Sequence, residues 1–103
     1  YTEYTCFFLF CKYLSKIIIS RIYLVSNTIL SWMLNSVSPG FVLTDLTRKN
    51  LTEKEMTKLA SQIPMNRMAE TTDISSVVIF LLSNLNLYLT GQNIIVDGGF
   101  TNV

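Results

Sequence analysis

The residues best placed to do chemistry lie in the stretch Asn35-Ser36-Val37-Ser38-Pro39-Gly40-Phe41-Val42-Leu43-Thr44-Asp45. An apolar run breaks there at a Pro-Gly pair and passes, within five residues, to a threonine, a carboxylate and then a charged helical segment. In open parallel sheets nucleotides bind in the crevice outside the carboxyl ends of the strands, and a Pro-Gly pair directly after a strand builds its wall. Most such turns simply turn, so the pair alone signals little. What it offers is orientation of a ligand, through exposed backbone amide and carbonyl groups and the Thr44 hydroxyl. Other chemistries find little support. The chain has no histidine, and Cys6 and Cys11, its only cysteines, stand without further ligands, which speaks against a zinc site. They read as a reduced, cytosolic pair on an apolar segment. Arg48 and Lys49 are the only adjacent basic pair, and Asp45, Glu53 and Glu55 lie close by. This is a mixed, solvated surface, and no basic face for nucleic acid is expected.

The elements that would hold this turn can be read from pattern. Ser31 to Val37, rich in large apolar side chains, predicts a strand buried on both faces, and Pro39 ends it because proline cannot donate to a ladder. Thr52 and Glu55 form a capping box, with Leu51 and Met56 at the positions of a hydrophobic staple. Met56, Leu59, Ala60 and Ile63 follow at helical spacing until Pro64 stops the helix. A second helix is expected to carry Ile74, Val77, Val78, Leu81 and Leu82 on its apolar face. Thr71 or Thr72 would cap it, and Asp73 would complement the dipole in its first turn. Arg67 reads as a structural ion pair with Glu70 or Asp73. A last strand, Asn93 to Val96, follows Gly91, and its Ile-Ile-Val core implies burial on both faces. So long a crossover between two strands implies a parallel, right-handed unit. Asp97-Gly98-Gly99 closes it as a turn whose glycines are free to take positive φ.

Three blocks in this order, the Pro-Gly turn, Ile63-Pro64-Met65-Asn66-Arg67, and Tyr88-Leu89-Thr90-Gly91-Gln92-Asn93-Ile94-Ile95-Val96-Asp97-Gly98-Gly99, resemble one family. From Asn35 to Val103 the chain resembles the C-terminal part of a short-chain dehydrogenase/reductase, and in wording the 3-oxoacyl-(acyl carrier protein) reductase branch. The last block is the specific one. The resemblance implies an α/β fold, the C-terminal portion of a Rossmann-like doubly wound parallel sheet, as an incomplete domain. It implies hydride transfer between NAD or NADP and a small carbonyl or alcohol substrate, and a homo-oligomer or a missing N-terminal half as partner. Pro39, Gly40, Val42 and Thr44 would lie on the nicotinamide side. Val42 would offer backbone contacts, and the Thr44 hydroxyl would reach the carboxamide or the pyrophosphate. The segment from Leu51 to Ile63 would be a flap over the substrate; the alternative is a packed surface helix.

The family's machinery is not complete here. No glycine-rich turn after a first strand is present to cradle a pyrophosphate. The family's Tyr-x-x-x-Lys, which carries the proton transfer, also has no counterpart. Tyr13 and Lys16 are too close to each other and to Asn35; Phe8 and Lys12 have the right separation but no hydroxyl; a register from Phe10 to Lys16 requires an insertion before the strand. No catalytic residue is therefore assigned. Whether the chain is an enzyme is left open, and by itself it is expected to be inactive. Family members usually carry proline and glutamate where Thr71 and Thr72 stand, so the start of that helix is softer.

At 103 residues, half of them apolar and few charged, the chain suits one small domain with a buried core. The net charge of +1 hides a split, with Lys12, Lys16 and Arg21 against Glu3 in residues 1–34 and a slightly acidic remainder. Residues 1–34 form a divergent apolar segment distinct from 35–103. It is expected to be helical, buried against the sheet or another subunit, with Ile17 to Ile19 and Ile22 to Val25 as its apolar bulk. Lys12, Lys16 and Arg21 argue against a membrane span, and the order of basic and apolar residues against a signal peptide. A cytoplasmic location follows. The start at Tyr1 fits a processed product, a fragment or a partial reading of a longer gene, and the abrupt change at Asn35 fits a shifted frame or misjoined start. Two other classes remain: a non-catalytic module pairing with an intact reductase, and a small membrane-associated protein.

Overall fold

The computed structural model describes residues 4–11, 16–25 and 29–102, with side chains from Met33 onward. Its elements in chain order are β1 (Tyr4–Cys11), β2 (Lys16–Val25), β3 (Ile29–Pro39), α1 (Asp45–Asn50), α2 (Glu53–Gln62), α3 (Thr71–Leu82), β4 (Asn93–Val96) and a 3-10 turn at Phe100–Asn102. The strands form one sheet in the order β1-β2-β3-β4.

Strand β3 is the hinge between two kinds of pairing. On one side β2 runs antiparallel to it, with Ile17 opposite Val37, and β1 runs antiparallel to β2. On the other side the pairing with β4 is parallel. Gly91 N–H donates to Leu34 O at 2.7 Å, Ser36 N–H to Gln92 O at 2.8 Å and Gly40 N–H to Val96 O at 2.9 Å, so partner numbers rise together. Parallel neighbours need a crossover, and α1, α2 and α3 supply it.

The expectation that residues 1–34 are helical is corrected for those of them that are described. Ile17–Ile19 and Ile22–Val25 lie in β2, where Ile17 to Tyr23 are paired on both sides and Leu24 and Val25 with β3. A continuous apolar run does not by itself separate a buried helix from a buried strand, and here the β-branched and aromatic residues prevail as strand formers. The alternatives that place a tyrosine and a lysine on a helix fall partly on residues 12–15, outside those described. Strand β3 also extends beyond the expected Ser31 to Val37, starting at Ile29 and ending on Pro39.

Two compact units emerge. One takes in the described residues up to Ser38 with Val77–Ile94; the other holds Pro39–Ser76 with Ile95 onward. In the first, Met33, Val37 and Leu81 are buried. Two buried asparagines replace ladder and helix hydrogen bonds there. Asn35 donates from Nδ2 to Leu89 O at 2.9 Å and accepts from Gln92 N–H at 3.1 Å. Asn86 donates from Nδ2 to Leu81 O and Leu89 O and accepts from Leu89 N–H. Both satisfy groups whose burial without a partner would destabilise the fold. In the second unit Ile63, Met68 and Ile74 are buried.

The helix starts follow local chemistry. In α2 the capping box is complete: Glu55 N–H donates to Thr52 Oγ1 at 3.3 Å, and Thr52 N–H to Glu55 Oε2 at 2.7 Å. These bonds, with the Thr52 hydroxyl, hold the Glu55 carboxyl below its ordinary range. At α3 the expected threonine cap is corrected. Both Thr71 and Thr72 lie inside the helix, and the Asp73 carboxylate closes the turn by accepting from Glu70 N–H at 2.8 Å. A carboxylate at the third helical position competes well for that amide, being both a stronger acceptor and favoured by the helix dipole.

Candidate functional site

The second unit contains the Pro-Gly turn and everything that shapes it. Gly40 follows β3 so closely against the opposite turn that a Cβ on it would stand 2.7 Å from Asp97 Cβ and 2.8 Å from Asp97 Cα. Only glycine fits this approach. Beyond it, Val42 makes a single parallel bridge to Ala69: Ala69 N–H donates to Phe41 O at 2.9 Å and Leu43 N–H to Ala69 O at 2.8 Å. Phe41 meets Phe100 edge to face, ring centroids 5.1 Å apart.

This pairing leaves the Val42 N–H facing away from the bridge, with no acceptor among the described residues. The Val42 carbonyl accepts from the Thr47 hydroxyl at 2.8 Å and keeps a second lone pair. Thr44 caps α1, accepting from Thr47 N–H at 3.2 Å. The two hydroxyls are 2.9 Å apart, and since the single Thr47 proton is given to Val42, Thr44 is the donor between them. Thr44 Oγ1 therefore has its proton committed and one lone pair free. Thr47 was not singled out from the sequence, although Thr44-x-x-Thr47 at a helix start has the spacing of a cap and its third helical residue.

Of the residues expected at the site, Gly40, Val42 and Thr44 line one concavity of about 500 Å³, together with Phe41, Leu46 and Leu59. Pro39 ends β3 and is not among its lining residues. The Asp97 turn is fixed from within. Its carboxylate accepts from Gly99 N–H at 2.9 Å, Thr101 N–H at 2.9 Å and the Thr101 hydroxyl at 2.7 Å. The Thr101 hydroxyl, then the amides, hold this carboxyl below its ordinary range. Gly98 and Gly99 take φ of 64° and 90°, as the turn requires. A Cβ on Gly98 would stand 2.8 Å from Ile63 Cγ2, so this turn also packs against the end of α2.

Arg67 chooses Asp73 of its two expected partners, donating from Nη1 at 2.7 Å and Nη2 at 3.1 Å. This bidentate pair, with the Glu70 amide, brings the Asp73 carboxyl down to about 2. Its role is to fix the start of α3. Among the described residues no cluster of three His, Cys, Asp or Glu side chains could hold a metal, and no helix is long and apolar enough to cross a membrane.

Residues 33–101 match the family described as enoyl-(acyl carrier protein) reductase. The chain is 43% identical over 65 residues to the 3-oxoacyl-[acyl-carrier-protein] reductase FabG of Buchnera aphidicola, covering 63% of this chain and 26% of that protein. It is 46% identical over 68 residues to a tropinone reductase homolog of Arabidopsis thaliana, covering 65% and 25%. The chain thus spans about a quarter of the length of these relatives. Among solved structures, a short chain dehydrogenase family protein of Francisella tularensis superposes with a TM-score of 0.63 at 33% identity, over 69% of this chain and 34% of that one. The NADP-bound structure of ElxO superposes with a TM-score of 0.62 at 27% identity, over 69% and 29%. The parallel β3 and β4 with their crossover helices are thus an incomplete Rossmann-like sheet, and the chain belongs to the short-chain dehydrogenase/reductase family.

Proposed function

We propose that residues 35–103 are the nicotinamide and substrate side of an NAD- or NADP-dependent reductase acting on a small carbonyl or alcohol. In this reading residues 1–34 are a divergent segment distinct from it. The observation that carries this reading is the Val42 peptide, whose N–H has no acceptor among the described residues and whose carbonyl has a lone pair to spare, at the rim of an apolar concavity. A carboxamide carries one acceptor and one donor group, which matches this pair. Thr44 Oγ1 fits the carboxamide better than the pyrophosphate, because its proton is committed to Thr47 and it can only accept. A bound nicotinamide would supply or take the hydride; the residues of this chain would orient it and would not move protons. Val42 and Thr44 are the residues that would hold it, with Pro39 and Gly40 shaping the wall. A second copy or an intact relative is the proposed partner, supported by the edge position of β4 and by Ile79 and Phe80, exposed on α3.

The test is an amide NMR titration of the chain with nicotinamide mononucleotide. Shifts confined to Gly40, Val42, Thr44 and their neighbours are expected, and the Val42 amide should move most. Shifts centred elsewhere, or none, would remove the assignment.

A further inference from the structure

We infer that β1 and β2 are an autoinhibitory cover on the sheet: they close the edge of β3 at which a parallel, dinucleotide-binding sheet would continue, and so bar a nucleotide-binding half supplied by another chain from docking there. The inference rests on the fold and does not depend on the nicotinamide assignment. A doubly wound sheet continues through parallel strands. Of the two parallel strands here, β4 has the form of an edge, four residues long with Ile95 exposed. Strand β3 has eleven residues, and Met33, Asn35 and Val37 on it are buried. The parallel sheet would therefore continue past β3, on the side away from β4.

That side is taken. Leu34 O accepts from Gly91 N–H and Ser36 N–H donates to Gln92 O, so these two residues turn their backbone groups toward β4. Backbone groups alternate in direction along a strand, so Met33, Asn35 and Val37 turn theirs the other way, where Arg21, Ile19 and Ile17 of β2 stand opposite. An edge pairs with one strand at a time. A half docked on β1 instead would stand two strand spacings, about 10 Å, from the position next to β3. The family match begins at Met33, so β1 and β2 lie outside the matched region. Two effects keep β2 in place against an incoming parallel strand. An antiparallel ladder is slightly the more stable per residue. Only three residues separate β2 from β3 in sequence, which gives the tethered strand an effective concentration of about a millimolar. Against a strand of equal intrinsic affinity offered at micromolar concentration, it wins by about a thousandfold.

The experiment is amide hydrogen exchange, read by NMR on the purified full chain, alone and with a synthetic peptide of the β2 sequence, Lys16–Val25, at micromolar concentration. In the parent chain the Met33, Asn35 and Val37 amides are expected to exchange as slowly as that of Ser36, and the peptide is expected to change nothing. Ile19→Pro removes the N–H that stands opposite Asn35. The three amides should then exchange at least about tenfold faster while Ser36 keeps its protection, and the peptide should restore them. Fast exchange at all three in the parent, or a peptide effect as large in the parent as in the variant, would overturn the inference. The two parent measurements decide it even where Ile19→Pro does not fold. The nicotinamide mononucleotide titration reads Gly40, Val42 and Thr44 instead, so either result can fail while the other stands.

Discussion

At the residue scale the site depends on a few atoms whose bonds are already assigned. Thr47 spends its one proton on the Val42 carbonyl and thereby decides that Thr44 can only accept. Thr47→Val keeps the shape and removes that bond, and a loss of about 1 kcal/mol of stability is expected from denaturant unfolding. Gly40→Ala should cost more, about 1 to 3 kcal/mol, because the added Cβ would stand 2.7 Å from Asp97 Cβ and 2.8 Å from its Cα. The same titration would record it. Of the carboxyls held below their ordinary range, Glu55, Asp73 and Asp97, Asp73 is the one brought down to about 2. Its folded pKa of about 2 lies below the ordinary 3.8, so its contribution is present above pH 4 and is lost as the pH falls from there toward 2. Urea midpoints measured across that window should fall, and Asp73→Asn should flatten the fall. A variant as steep as the parent would show that Arg67 and Asp73 are not coupled in solution.

At the element scale, what could be read from the chain was what is decided locally. The capping box of Thr52 and Glu55 is a four-residue device, and α2 begins where it stands. Thr52→Ala should lower stability by about 1 kcal/mol, measured by thermal unfolding, with the loss confined to the start of α2 in amide exchange. The place of the last strand and the Pro39 stop were equally legible, since an Ile-Ile-Val run between glycines and a proline without an N–H leave few choices. The expected burial of both strands on both faces is corrected: Leu34 is 53% and Ile95 54% exposed. Legibility failed where the decision is not local. Ile17 to Val25 reads equally well as a buried helix or a buried strand, and only its pairing with β1 and β3 settles it. The cap of α3 was missed for another reason. Threonines are good caps in isolation, but the helix already begins at Thr71, so Glu70 stands at the cap position, its N–H held by Asp73, which Arg67 fixes from six residues away. Likewise Asn35 was recognised by its place before the Pro-Gly turn, while its bonds to Leu89 and Gln92, which tie β3 to the approach of β4, were not.

At the scale of the whole molecule, the proposed function leaves this chain with one side of a cofactor site only. In the proposed reading, an amide, a carbonyl lone pair and a hydroxyl lone pair of the described residues would face a nicotinamide, with a wall of leucines beyond them. Each such hydrogen bond contributes about 1 kcal/mol net, whereas millimolar affinity requires about 4 kcal/mol after the cost of association is met. An intact dinucleotide should therefore bind this chain no better than its nicotinamide half. The direct test is a fluorescence titration of the purified chain with NADPH, repeated with NADH and followed by an assay of β-ketoester reduction in the same samples. No saturation in the micromolar range and no turnover above the buffer blank are expected. Saturable micromolar binding, or turnover, would contradict the account, because it would mean that this chain also holds the pyrophosphate and the proton-transfer groups.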